Sequence, residues 1–284
     1  MRTIANPIEG SEVRVEPKQS PGININGVAA DLEHVSKADV RVDLLDDTRA
    51  NDTRPDDTGA DDTRSDGTRA DDTGADGTRS DGTRAFVVEH VLGPLGLYGI
   101  TAAEVVGIRE EWDFARPEHR FAYATDAGPA SVVGHPAGLP NPELAEALGR
   151  ASVVRGESEP RQTVSQPVSF EAGGGEIQLR PAACGDGIEF DVQYEDASIS
   201  VQVDPRETAD DSLIDSVAQS TTPYLSPTDE EAVTHSVADL VSDIAVLGGF
   251  DDLVVDVTLA GAYHALTVGA ARRAHEDGVV TFRE

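Results

Sequence analysis

Two stretches far apart in the chain carry the same short pattern, and this internal echo restricts the fold more than any other feature of the sequence. Val13-Arg14-Val15-Glu16-Pro17 is followed by Gly22-Ile23-Asn24-Ile25, and Ile177-Gln178-Leu179-Arg180-Pro181 is followed by Gly187-Ile188-Glu189-Phe190. Each reads as an alternating strand, a proline-containing turn and a second strand. The period of two puts Val13 and Val15, then Ile177 and Leu179, on one face of an antiparallel sheet. Each half is therefore expected to open with a hairpin, glycine permitting the turn between its strands.

Each half then supplies a helix with a histidine near its start. In the first half this is the stretch from Phe86 to Gly96; in the second it runs from Pro227 to Leu247. The second helix has Ser226 or Thr228 as N-cap, followed by Asp229, Glu230 and Glu231, where the helix dipole favours negative charge. Val233, Val237, Leu240, Val241, Ile244 and Leu247 recur at helical spacing and mark a buried face. A strand from Leu253 to Leu259, a helix from about His264 to His275 and a short strand from Val279 to Phe282 complete the second half. The fold class expected is α+β: two similar domains, each a layer of mostly antiparallel sheet packed on helices, with the active site between them. A length of 284 residues gives room for two such units. They are placed at residues 1–155 and 166–284, because the stretch between is rich in Glu, Ser, Pro and Arg and poor in apolar side chains.

One segment does not belong to this plan. From Asp46 to Arg84 the chain repeats a five-residue unit, Asp-Asp-Thr-Arg or Asp-Gly-Thr-Arg with a small residue between copies, and holds no large apolar side chain. It has nothing to bury and lacks strand or helix periodicity, so residues 46–84 are read as a disordered, solvated insertion. Calcium binding by its Asp pairs is the alternative, but the bidentate Glu of calcium loops is absent.

Acidic residues outnumber basic ones 53 to 22, for a formal charge of -31, and lysine occurs only at positions 18 and 37. A chain without a basic stripe cannot release counterions from a phosphate backbone or meet anionic headgroups, so nucleic acid and anionic membranes are excluded as main partners. The surface resembles those of proteins adapted to molar salt, where the Debye length shrinks to about 3 Å. The single cysteine, Cys184, rules out an intrachain disulfide, lies in a turn, and has neither a neighbouring base nor a metal-ligand spacing. The first residues lack the apolar core of a signal peptide, and no stretch approaches the roughly 18 apolar residues of a membrane span. A cytoplasmic protein is expected, of open oligomeric state.

His235 and Asp239 stand four positions apart on the second helix, one turn from each other on the same face, so they can converge on one cation. A surface histidine hydrogen-bonded to a carboxylate one turn on is the plainer reading of that spacing. Asp243 extends the row beside the buried face, where unpaired polar groups are costly. Glu89 and His90 interrupt the apolar run Phe86 to Leu92 and need a partner, a core hydrogen bond being again the plainer account. Zinc at a catalytic centre takes three protein ligands and keeps a position open; His90, His235 and Asp239 supply that set, with Glu89 beside it as base. His264 follows the Gly261 turn at a helix start, where backbone amides favour anions. His34, His119, His135 and His275 have no partner at useful spacing and read as surface residues.

Taken in order, Val88-Glu89-His90-Val91-Leu92 with Gly96 and Gly99-Ile100, the strand pairs, Asp229 to His235 running into Asp239 and Asp243, Tyr263-His264-Ala265-Leu266, and the C-terminal Val280 to Glu284 resemble the UDP-3-O-acyl-N-acetylglucosamine deacetylase family. These are zinc amidohydrolases acting on a nucleotide sugar of lipid A synthesis. The likeness covers most of the chain outside the Asp-Thr-Arg tract and residues 109–140. It implies zinc on His90, His235 and Asp239, Glu89 activating water, His264 stabilising the oxyanion and protonating the leaving amine, Asp243 keeping His264 charged, and the Thr222 hydroxyl helping to bind the oxyanion.

The chain departs from the family's pattern in four places. Ser236 stands where the family has a lysine, and only a short turn separates Thr222 from His235 where the family inserts an acyl-chain channel. The Ser-Gly-His loop becomes Ala262-Tyr263-His264, and no first-domain sugar contact is recognisable in residues 111–140. The reading is a zinc-dependent deacetylase of an N-acyl amino sugar, the small-molecule partner being a nucleotide-sugar-like substrate. The alternative is a non-catalytic binding or scaffold protein with a structural metal. An adaptor role for the acidic tract is a third reading, resting on a segment regarded as a passenger.

Overall fold

The computed structural model describes residues 1–9, 13–38, 42–46, 83–86, 88–108, 120–125, 128–133, 141–157, 160–183, 187–220, 228–260 and 263–283. Within them the protein is a mixed α/β structure with five α-helices and mostly antiparallel sheets. All but the two termini of the Asp-Thr-Arg tract, together with Cys184, His119, His135 and Thr222, lies outside the described residues. The termini of the tract are strand: Asp46 ends one and Thr83 and Arg84 begin another.

Two five-stranded sheets share one topology. The first holds β2 (Ile8–Glu9), β3 (Arg14–Pro17), β4 (Gly22–Ile25), β5 (Val28–Ala29) and β9 (Ala102–Val106), ordered β2-β3-β9-β4-β5. The second holds β14 (Val168–Ala172), β15 (Gly175–Pro181), β16 (Ile188–Tyr194), β17 (Ala197–Val203) and β18 (Leu253–Leu259), ordered β14-β15-β18-β16-β17. In both, the last strand in sequence enters the middle, antiparallel to the second strand and parallel to the third.

This corrects the expected hairpins. The paired stretches at 13–25 and 177–190 are strands, but β3 does not pair with β4, nor β15 with β16, because β9 and β18 are inserted between them. A strand with a buried residue at every second position gains more from two neighbours than from one. β18 has that pattern, with Leu253, Val255, Val257 and Leu259 buried. The real hairpins are the outer pairs. β4 turns into β5 through Asn26 (φ 52°) and Gly27 (φ 83°), the left-handed pair that a two-residue hairpin turn requires.

Shorter pairings tie the rest together. β1 (Arg2–Ile4) pairs with β12 (Val153–Arg155), and β13 (Arg161–Val164), in the stretch read as a junction, pairs with the C-terminal β19 (Val280–Arg283). β6 (Val35–Ala38), β7 (Val42–Asp46) and β8 (Thr83–Phe86) form a three-stranded sheet, and β10 (Arg120–Thr125) pairs with β11 (Gly128–Val133). Phe86, expected in a helix, therefore ends a strand, and α1 spans Glu89–Leu97.

The helices α1, α2 (Asn141–Arg150), α3 (Asp211–Gln219), α4 (Asp229–Leu240) and α5 (Tyr263–Glu276) pack against the sheets and each other. α4 starts at the Thr228 cap, whose side chain accepts from the Glu231 amide at 3.1 Å, and it continues without a break as a π-helical stretch, Val241–Leu247. Two apolar clusters result. Ile177, Leu179, Phe190, Val255 and Leu266 belong to one and Val15, Ile25, Leu92, Leu95 and Val105 to the other.

α1 crosses α4 closely because α1 carries glycine on the contact side. A methyl group on Gly93 would lie 2.7 Å from the Ala238 carbonyl oxygen, and one on Gly96 would collide with the Val241 side chain. That close approach sets the distance between the histidines of the two helices.

Candidate metal centre

α4 presents His235 and Asp239 one turn apart, each only 2% exposed. His235 Nδ1 lies 3.3 Å from the Ser220 carbonyl oxygen. A carbonyl only accepts, so Nδ1 carries the proton and Nε2 keeps its lone pair. Nε2 is buried, meets no hydrogen-bond partner among the described residues, and sits 3.7 Å from Asp239 Oδ2. α1 brings in His90, whose ring centroid is 5.6 Å from that of His235 at an interplanar angle of 73°.

One ligand atom from each of His90, His235 and Asp239 lies within 4.8 Å of the others, so the group could hold a metal ion. Nitrogen and oxygen atoms about 2 Å from a shared cation stand roughly 3.3 Å apart in tetrahedral geometry, which small side-chain rotations would reach. The orphaned, buried Nε2 is the strongest sign of fit, because such an atom is costly unless something occupies its lone pair. Two imidazoles and a carboxylate suit a divalent transition metal and do not by themselves select one.

Glu89 precedes His90 on α1 and is also buried. Burial, and secondarily the negative charge of Asp239, pushes its carboxyl up to about 8, against the pull of His264. Its Oε2 accepts from the Val42 amide at 3.0 Å, so the strand β7 fixes one carboxylate oxygen.

His264 stands in the first turn of α5, and its Nδ1 is 2.7 Å from Asp243 Oδ2. Burial alone would lower its pKa, but Asp243, helped by Asp239 and Glu89, carries it up to about 10. The imidazolium is therefore the resting form at neutral pH. Thr267 also donates to Asp243 Oδ2, and Asp243 itself is 0% exposed, in the π-helical stretch.

The structure thus brings together His90, His235 and Asp239, sets Glu89 beside them, and pairs His264 with Asp243. Thr222 lies outside the described residues, as do Gly261 and Ala262. Ser236 is fully buried and donates to the Ala232 carbonyl at 2.9 Å, so no side chain from that position reaches solvent. His34 differs from expectation: it is half-buried and its Nδ1 meets Asp31 Oδ1 at 2.7 Å, a partner three positions back. His275 is exposed and contacts the Gly248 carbonyl.

Sequence reasoning missed Ser220, the Val42 amide, Thr267 and Tyr263, whose hydroxyl donates to Asp239 Oδ2. Thr267 was within reach, three residues after His264 on the same helix face. The others arise from chain crossings that no spacing records.

A cleft of about 760 Å³ lies elsewhere and is lined by Arg2, Arg155, Arg161, Arg206, Asp204 and Asp251 among others. Its guanidinium groups are committed to carboxylates: Arg2 and Arg155 to Glu207, Arg161 to Asp204, Arg206 to Asp251. Burial, against the pull of Arg206, carries the Asp251 carboxyl up to about 6. The cleft is an ionic seam joining β1 and β12 to the 204–207 turn. No helix among the described residues is long and apolar enough to cross a membrane. No protein-family model and no curated protein matches the sequence.

Proposed function

We propose that the chain is a zinc-dependent amidohydrolase that removes the acyl group from the nitrogen of an amino sugar, as its likeness to the UDP-3-O-acyl-N-acetylglucosamine deacetylases implies. The carrying observation is the meeting of His90 with the buried His235 and Asp239 from two helices, with His235 Nε2 left without a hydrogen-bond partner among the described residues. The two sheets of identical order support a reading as two similar domains, residues 1–155 and 166–284, with the centre between them.

When bound, a divalent ion at these ligands supplies Lewis acidity to a carbonyl and acidifies a neighbouring water. The side chains handle the protons. Glu89, with one oxygen held by Val42, keeps the other to take the proton of the attacking water, and a cation held by its neighbours would favour the ionised carboxylate that this role requires. The water oxygen bonds to the acyl carbon, the carbon–nitrogen bond breaks, and the nitrogen leaves with a proton from His264. Asp243 holds that imidazole in its charged form, which also favours the oxyanion before the bond breaks. Thr222 is the proposed second oxyanion donor. The short link between Thr222 and His235 favours a small acyl group such as acetyl over a long chain. The lone cysteine and the acidic composition support work in a reducing, salt-rich cytoplasm.

The test is amine release from N-acetylglucosamine and its nucleotide-diphosphate conjugate by protein purified in high salt with a measured metal content. Turnover lost in Glu89→Gln, with metal retained, supports the hydrolase. Stoichiometric metal without turnover on any N-acyl sugar supports instead a scaffold with a structural metal, which the closed surroundings of Ser236 favour.

A further inference from the structure

The carboxylate of Asp239 is cut off from water, so its oxygens depend on the protein or an ion for partners. One of them is held: the Tyr263 hydroxyl donates to Oδ2. The phenol is fixed from several sides. Tyr263 is buried, it opens α5, and its ring lies 4.7 Å from the His264 ring at a tilt of 34°, while His264 is anchored by Asp243. The Tyr263 backbone carbonyl accepts from Thr267 at 3.2 Å. A side chain this constrained sets the rotation of the carboxylate it touches.

We propose that Tyr263 is a positioning residue for the metal centre: its hydroxyl fixes the rotation of the Asp239 carboxylate and holds Oδ2, the oxygen 3.7 Å from His235 Nε2, toward the site. A carboxylate free to rotate can chelate through both oxygens and raise the coordination number of the ion. One whose inward oxygen is held by a phenol cannot turn to bring in the second without breaking a buried hydrogen bond. Tyr263 thereby favours a single donor oxygen from Asp239 and three protein donor atoms in all, the number that leaves a position for substrate or water. The inference rests on His90, His235 and Asp239 being metal ligands and adds a residue that neither spacing nor ligand chemistry points to.

Cobalt(II) titration of the full chain in high salt separates the two claims, because the visible bands of cobalt are intense at four-coordination and weak at five or six. The wild type should bind one cobalt with intense bands. Tyr263→Phe, which removes one oxygen and keeps the ring, should bind roughly 10- to 100-fold more weakly and with fainter bands. Ser236→Ala removes another buried hydroxyl nearby, one that donates to the Ala232 carbonyl of its own helix and not to a ligand, and should keep the wild-type affinity and spectrum. Metal-free melting curves of both variants establish that each is folded. A wild type that binds no cobalt overturns the metal-site reading and this inference together, and one that binds cobalt with weak bands overturns the inference alone. A Tyr263→Phe chain matching the wild type in affinity and spectrum overturns the inference alone, as does an equal loss in Ser236→Ala.

Discussion

Gly93 on α1 faces Ala238 on α4 so closely that a single methyl group would stand 2.7 Å from the Ala238 carbonyl oxygen. The crossing places His90, three residues earlier, against His235, three residues before Ala238. Gly93→Ala gains roughly 0.5–1 kcal/mol of helix preference and loses about 1–3 kcal/mol to overpacking against a backbone that cannot step aside. The expected outcome is net destabilisation together with weaker metal binding. Urea unfolding and a metal titration on the same sample check it, and a variant as stable as wild type would remove the close crossing as the device that sets the centre.

Metal removal should be felt in the fold. An ion that binds only the native state adds about 2.7 kcal/mol when free ion exceeds its dissociation constant a hundredfold. Adding chelator should lower the melting temperature of the wild type and leave that of His235→Ala unchanged. Calorimetry with and without chelator reads the difference.

Alkaline pH should weaken the protein through the pair His264 and Asp243. Unfolded histidine titrates near 6.5, whereas His264 in the folded chain is carried up to about 10. Between those values the folded state holds a proton that the unfolded state has released, so stability falls as pH rises through that window. Glu89, raised to about 8, adds a loss of the same sign between about 4.5 and 8. Asp243→Asn removes the charge that holds the imidazolium and should flatten the slope above pH 8. Denaturant midpoints at pH 6.5, 8 and 9.5 settle it.

Arg2 should matter although it is remote from the centre. It is buried, and it donates to the Arg206 carbonyl at 2.7 Å, to Glu207 at 3.2 Å and to Thr208 at 3.1 Å. Arg2→Met strands the Arg206 carbonyl and should cost about 2 kcal/mol, with the half-exposed Glu207 contributing little of that. The unfolding midpoint should drop with metal affinity unchanged; a shift under about 0.5 kcal/mol would show the seam to be ornamental.

The residues that chemistry crowds together were the legible ones. His235 and Asp239 stand one helical turn apart, so their meeting is local, and Glu89 and His90 are conspicuous as the polar pair in an apolar run. The end at Leu247 and the limits of β18 follow from helical spacing and alternation, whereas capping left Ser226 and Thr228 both open as the helix start. Strand partners did not follow. β3 and β4 are adjacent in sequence and look like a hairpin, yet their shared neighbour begins at Ala102, and nothing in either strand encodes a partner so distant. The Asn26-Gly27 turn was readable and marks the true hairpin. Tyr263 was illegible because its contact with Asp239 spans 24 positions and depends on how α5 docks.

The wide turn at Val241–Leu247 bears on which length changes this helix can accept. A π-helical stretch holds one more residue than the regular spiral would, and the amide of Gly248 reaches back five positions to the Asp243 carbonyl at 3.0 Å. Deleting a residue there would relax the backbone into ordinary α-helix and swing Asp243 away from His264 by the angle of one residue. Local comfort and the proton-holding pair thus pull in opposite directions. A deletion scan through 241–247 should yield folded chains whose imidazole at 264 has lost its carboxylate.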